Sequence, residues 1–247
     1  MHFSTLFAAT CAFISGTIAA PGLNPNLESR AVTPNAEGTH NGFFYSWWSD
    51  GNAAATYSNG NGGSYSISWE AGGNLVGGKG WNPGTSRSIT YSANWKPVNN
   101  GNSVSGAGYQ GWKIHDADVT KYLTIYGWTR SPLIEYYVVE AHGEYNPSLT
   151  VWFLQGSSAT SKGSVTIDGA TYQLYQSTRY NAPSIDGTKT FQQYWAIRDS
   201  QRTSGTVNMG TVFNAWASKG MTLGTHYYQI VATEAYNSKG TSTVTVS

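Results

Sequence analysis

Cysteine is all but missing from this chain. The single one, Cys11, falls in an apolar N-terminal stretch, so no disulfide braces the chain once that stretch is removed. Charge is scarce as well. Only 11% of the residues are Asp, Glu, Lys or Arg, and they balance to a formal net charge of +1. That balance offers no electrostatic basis for holding nucleic acid or an anionic membrane. There is also no open N-glycosylation sequon, because the "NPS" at Asn146 is blocked by Pro147.

What the chain has instead is rings and glycine. Aromatic residues make up 14% of it, with 10 Trp and 17 Tyr, alongside 29 Gly. An aromatic-rich, charge-poor surface suits a neutral polar ligand such as a sugar, whose C–H faces stack on flat rings. Residues 1–19 read as a secretory signal: the apolar stretch Leu6 to Ile18 ends in "TIAAP", with cleavage expected after Ala19. The stretch is too short and too polar for a membrane anchor. Residues 20–30, containing "PGLNPNLESR", read as a propeptide trimmed after Arg30. Residues 31–247 are then expected to be a single secreted domain, large enough to bury a core without disulfides.

From Gly42 onward the dominant pattern is alternation with period two, broken by Gly, Asn and Pro. "SYSISW" sets Tyr65, Ile67 and Trp69 against Ser64, Ser66 and Ser68, and "SITYSANW" repeats the scheme. "YLTIYGW", "LIEYYVVE", "SVTI", "TYQLYQSTRY", "FQQYWAIR", "YQIVATEAY" and "STVTVS" follow. So many short strands predict an all-β sandwich or jelly roll. One segment breaks the period. "GTVFNAWASKG" spaces Val212, Phe213 and Trp216 for a helix, with Lys219 in its last turn and Gly220 just beyond.

Strand parity sorts the carboxylates. Glu135 shares a face with Leu133, Tyr137 and Val139, whereas Glu140 points the other way. Glu234 shares a face with Tyr228, Ile230, Ala232 and Tyr236, and "YLTIYGW" aligns Tyr122, Thr124, Tyr126 and Trp128. Two glutamates far apart in sequence thus each sit mid-strand on a tyrosine-bearing face. Opposed carboxyls across a sugar groove are what glycosidic cleavage requires. A mid-strand glutamate fits equally well on the solvated side of an antiparallel sheet. Pattern alone leaves both readings open.

"PLIEYYVVE", "TRYNAPSIDGT", "FQQYW" and "YYQIVATEAYNSKG", with "GWNPG" and "FNAWASKGM", resemble the signature stretches of glycoside hydrolase family 11, the endo-β-1,4-xylanases. The likeness runs in order from about Gly42 to Ser247. It implies a β-jelly roll of two twisted antiparallel sheets, shaped like a partly closed hand, with one short helix. It implies no cofactor or metal, and a monomer acting on xylan. Matched by motif, Glu135 corresponds to the nucleophile and Glu234 to the acid/base of a retaining reaction. Arg179 is expected near Glu135, whose charge it would favour. Tyr126, Tyr137 and Gln193 are expected around the reacting sugar, with Gln192 turned away. Trp48, Tyr122 and Tyr228 should line the groove, with Trp47 packed behind it. "NAPSIDG" matches a thumb hairpin with Pro183 at its tip. Asn74 matches a position beside the acid/base, where asparagine implies a neutral to mildly alkaline optimum.

One stretch departs from the family. Val104 to Lys121, 18 residues, interrupts "NNGNS…YLTIYGW". A long hairpin loop fits, and so does a translated intron of 54 nucleotides (18 × 3). His115, Asp116 and Asp118 within it lack the further ligands that a metal site needs. Two other functions compete with the xylanase reading. An endoglucanase is opposed by "PLIEYY" and "NAPSIDG", and a non-catalytic sugar-binding protein by the retention of both glutamates.

Overall fold

The computed structural model describes residues 32–98, 120–143 and 159–247. The expected signal, propeptide and most of the 104–121 stretch lie outside the described residues. The last two residues of that stretch, Thr120 and Lys121, open a strand and pair with Tyr236 and Ala235.

Two sheets carry the fold. The larger contains β1 (Ala36–His40), β2 (Phe43–Ser49), β5 (Asn74–Trp81), β7 (Thr120–Arg130), β8 (Ile134–His142), β9 (Thr160–Ile167), β10 (Ala170–Ser184), β11 (Gly187–Arg198) and β13 (Thr225–Tyr236). Their spatial order is β1-β2-β5-β13-β7-β8-β11-β10-β9. The smaller contains β3 (Ala55–Asn59), β4 (Ser64–Trp69), β6 (Ser88–Val98), β12 (Ser204–Asn208) and β14 (Lys239–Val246), in the order β12-β6-β14-β4-β3. Neighbours run antiparallel, except that β8 and β11 are parallel.

The alternation explains the layers. Tyr65, Ile67 and Trp69 of β4 are buried, whereas Ser64, Ser66 and Ser68 face outward or half outward. From the larger sheet, Trp47, Leu75, Ile125, Tyr136 and Val138 meet them to form the core. Two-residue turns set the register at Asn41-Gly42 and Asp168-Gly169, where all four residues hold positive φ. β5 escapes the alternation rule because of its glycines. A Cβ on Gly78 would sit 2.0 Å from the Val231 carbonyl oxygen of β13, so only glycine admits so close a neighbour.

Helix α1 (Met209–Ser218) follows β12 directly. The Asn208 side chain accepts from the Thr211 N–H, and Lys219 closes the other end. Gly220 continues in the left-handed region at φ 73°. Val212 and Trp216 are fully buried, and the Trp216 indole donates to the Trp195 carbonyl of β11.

Glu140 shows what the inner face demands of a carboxylate. It is buried between the sheets, yet accepts from Tyr91 of β6 at 2.7 Å and from Tyr172 of β10 at 2.5 Å. Arg202 completes an ion pair with it at 2.5 Å. A buried charge survives with such partners and not without them. No helix among the described residues is long and apolar enough to cross a membrane.

Candidate active site

The larger sheet has a second aromatic face, opposite the core. Tyr122, Tyr126 and Trp128 of β7, Tyr137 of β8, Trp195 of β11 and Tyr228 of β13 cluster there. Two strands separate their elements at most, because β13, β7, β8 and β11 are consecutive neighbours. Parity then places the two glutamates on this same face. Glu135 of β8 lies across from Trp128 and Gln193, and Glu234 of β13 lies across from Tyr122.

Glu135 is held by donors. Tyr126 donates to its Oε1 at 2.7 Å, and Gln193 donates to its Oε2 at 2.7 Å. Behind Tyr126, the Trp128 indole donates to the tyrosine oxygen at 2.6 Å. Burial is the largest influence on Glu135 and holds its pKa above the ordinary carboxylate range, while Tyr126, Gln193, the positive Arg179 and Tyr137 each oppose that rise. Arg179 therefore supports the ionised form, but it ranks behind the two hydrogen bonds. Its own Nε is buried without a partner.

Glu234 differs. Burial, followed by repulsion from Glu135, pushes its pKa up to about 8 against the opposing pull of Tyr137 and Arg179. Its Oε2 is buried and makes no hydrogen bond. Asn74 stands diagonal to it, because Glu234 pairs with Val76 and Tyr236 with Asn74. The Asn74 Oδ1 is likewise buried without a partner. Tyr137 and Arg179 are common to both carboxyls, each favouring the charged form of both. Two neighbouring carboxyls with unequal surroundings result: Glu135 is met by donors on both oxygens, and Glu234 keeps one buried oxygen without a hydrogen bond.

The remaining expected residues fall around this pair. Tyr228 contacts Phe44 at 5.4 Å and Tyr126 at 6.0 Å between ring centroids. Trp48 is half-buried opposite Val76 of the aromatic face, whereas Trp47 is buried in the core. Gln192 turns away from the glutamates and accepts from Gln176 and Thr178. Pro183 does not form the tip of the β10–β11 hairpin. It pairs with Thr188, and the turn itself is Ile185-Asp186 between Ser184 and Gly187.

Sequence reasoning passed over four residues. Trp195 and Ser177 share the parity of Gln193 and Arg179, so a signal for them existed. Arg130 and Asp186 had none. Arg130 grips Asp186 at 2.7 Å and lies 4.3 Å over the Tyr227 ring, tying the hairpin turn to the end of β7.

The chain is similar to known proteins along its whole length. The family described as "Glycosyl hydrolases family 11" matches residues 40–116 and 100–245, two segments that overlap at residues 100–116. An ethylene-inducing xylanase 4 from Verticillium dahliae is 57% identical over 246 residues, covering 100% of this chain and 98% of the relative. Endo-1,4-beta-xylanase I from Cochliobolus carbonum is 56% identical, covering 100% and 99%. Endo-1,4-beta-xylanase 4 from Pyricularia oryzae is 53% identical over the same shares. With two layered sheets and one helix among the described residues, and a glutamate pair on an aromatic face, the chain belongs to glycosyl hydrolase family 11 and is a glycoside hydrolase.

Proposed function

We propose that this chain is a secreted endo-1,4-β-xylanase that cleaves xylan with retention of configuration. The observation that carries the mechanism is the unequal pair on one face. Glu135 is surrounded by donors that favour its charge, and Glu234 keeps its proton up to about pH 8. The substrate is inferred from relatives whose names specify xylanase activity.

In the first step the Glu135 carboxylate attacks the anomeric carbon while the bond to the leaving oxygen breaks. Glu234 gives its proton to that oxygen. A covalent glycosyl ester on Glu135 results, and Glu234 is left as a carboxylate. It then takes a proton from water, whose oxygen attacks the same carbon and releases Glu135. Each displacement inverts, so the product retains configuration. Arg179 and Tyr137 counter the build-up of negative charge. Trp48, Tyr122 and Tyr228 supply faces for the sugar rings, Tyr126, Asn74 and Gln193 supply polar contacts, and the hairpin carrying Pro183 covers the groove.

Azide rescue tests the assignment. Glu135→Ala should lose hydrolysis of an activated aryl β-xylobioside and regain turnover with azide, giving the α-glycosyl azide. Glu234→Ala should give the β-glycosyl azide instead. A β-azide from Glu135→Ala, or wild-type rates without azide, would overturn the roles. Reducing-sugar release from xylan, compared with carboxymethylcellulose, tests the substrate.

A further inference from the structure

We propose that Ser177 is a positioning residue that, through Gln193, holds Glu135 in its ionised, attacking state. This rests on the reading of Glu135 as the nucleophile. Ser177 of β10 pairs directly with Gln193 of β11 and is 3% exposed. Its hydroxyl receives the Trp195 indole N–H at 3.1 Å and donates to the Gln193 Oε1 at 3.1 Å. The Gln193 Nε2 then donates to the Glu135 Oε2 at 2.7 Å.

The indole and the carboxylate at its two ends favour one direction for this chain. An indole N–H can only donate, so it occupies a lone pair of the serine and leaves the serine proton to point elsewhere. That proton meets the amide oxygen of Gln193. An amide that turns its oxygen to Ser177 must turn its NH2 to Glu135. The opposite orientation would set a carbonyl oxygen against a carboxylate, and the buried pair would coexist only by taking a proton onto Glu135. By donating to the amide oxygen, Ser177 thus favours one of two amide orientations of nearly equal shape. The other oxygen of Glu135 ends a matching chain, from the Trp128 indole through the Tyr126 hydroxyl. Each carboxylate oxygen is addressed by one indole-fed relay.

Other charged or titratable groups face Glu135 from several strands: Arg179 of β10, Tyr126 of β7, Tyr137 of its own strand, and Glu234 and Tyr228 of β13. Changing Ser177 leaves all of these side chains in place. A shift in the proton affinity of Glu135 is therefore attributable to the amide.

The test is the pH dependence of kcat/KM on an aryl β-xylobioside with a good leaving group, which lessens the need for acid catalysis and reports the nucleophile on the acid limb. Ser177→Ala should move that limb upward by about 0.5–1 pH unit, a roughly 3–10-fold change in the ionised-to-protonated ratio. The loss should fall on kcat more than on KM, and Ser177→Thr should restore the wild-type limb. An unmoved limb in Ser177→Ala, or a loss confined to KM, would overturn the proposal. If Ser177→Ala does not fold, Trp195→Phe keeps a ring against Tyr137 but removes the N–H. Its limb should move in the same direction by less, and no movement counts against the relay. Inactive Glu135→Ala together with an unmoved Ser177→Ala limb would sink the relay alone. A Glu135→Ala variant with wild-type rates would sink the nucleophile assignment, and the relay with it.

Discussion

Tyr137 lies flat against Trp195, with ring centroids 4.0 Å apart and planes 7° from parallel. The stack joins β8 to β11 at the one parallel pair in the described sheets. It also locks the ring whose hydroxyl acts on both glutamates. Stacked rings of this kind contribute about 0.5–1.5 kcal/mol beyond their buried area. Here the larger consequence is directional, because a ring held on its face can point its hydroxyl only along one line.

Tyr137→Phe isolates that hydroxyl. It lowers the proton affinity of both carboxyls in the wild type, so its removal should raise both. The acid and alkaline limbs of the kcat/KM profile should then move up together, with kcat falling on the order of 10²-fold. A profile in which only one limb moves would mean that Tyr137 serves a single glutamate.

Glu234 links catalysis to stability. Its folded pKa of about 8 exceeds the ordinary 4.5, so between those values the folded state binds more protons than the unfolded one. Stability then falls as pH rises through that window. Glu234→Gln removes the dependence. Its melting temperature should exceed that of the wild type by a margin that grows from pH 5 to pH 8, at roughly 2–4 °C per kcal/mol for a domain of this size. Calorimetry at both ends of the range decides it, and a constant margin would refute the shifted carboxyl.

Asn74→Asp places a second carboxyl diagonal to Glu234. The two would titrate as a coupled pair with apparent values that belong to both. The active form then keeps a proton on the aspartate, a state populated at lower pH. The optimum should move acidward by about one unit from a neutral to mildly alkaline wild-type value. Initial rates on xylan across pH 3–9 (the assay range, approximately) would show a fixed optimum if Asn74 does not act on Glu234.

Glu140 and Arg202 lie on the inner face, away from the reaction. Arg202→Met leaves a buried carboxylate with its two tyrosine donors but no counter-charge. Breaking a buried pair from one side costs about 3–5 kcal/mol, or on the order of 10 °C in melting temperature. The folded variant should still turn over xylan at 25 °C (roughly room temperature) with little change in kcat, because Glu140 points away from Glu135. A catalytic loss without a melting shift would contradict this division.

Glu135 and Glu140 also show what could be read from the chain alone. They stand five positions apart on one strand, and an odd separation sends them to opposite faces while the alternation holds. Alternation likewise identified the core side of β4 and β6, and the helix ended at the expected glycine. These are local properties, set by pleat geometry and by backbone conformations that neighbouring residues share. β5 was less legible, since glycine in a strand interior weakens the local signal and makes sense only once Val231 is seen pressing against it. Strand neighbours were not legible from parity at all. That β13 lies beside β7, and that β8 runs parallel to β11, follows from which faces bury each other. Proton affinity is decided at the same level. Glu234 holds its proton because burial and Glu135 act on it together, and the rise that burial imposes on Glu135 is opposed by donors from Tyr126 and Gln193, each backed by a tryptophan indole. The residues and their faces belong to the sequence; their company, and hence their chemistry, belongs to the tertiary structure, because charge energetics sum over neighbours that the chain brings together only by folding.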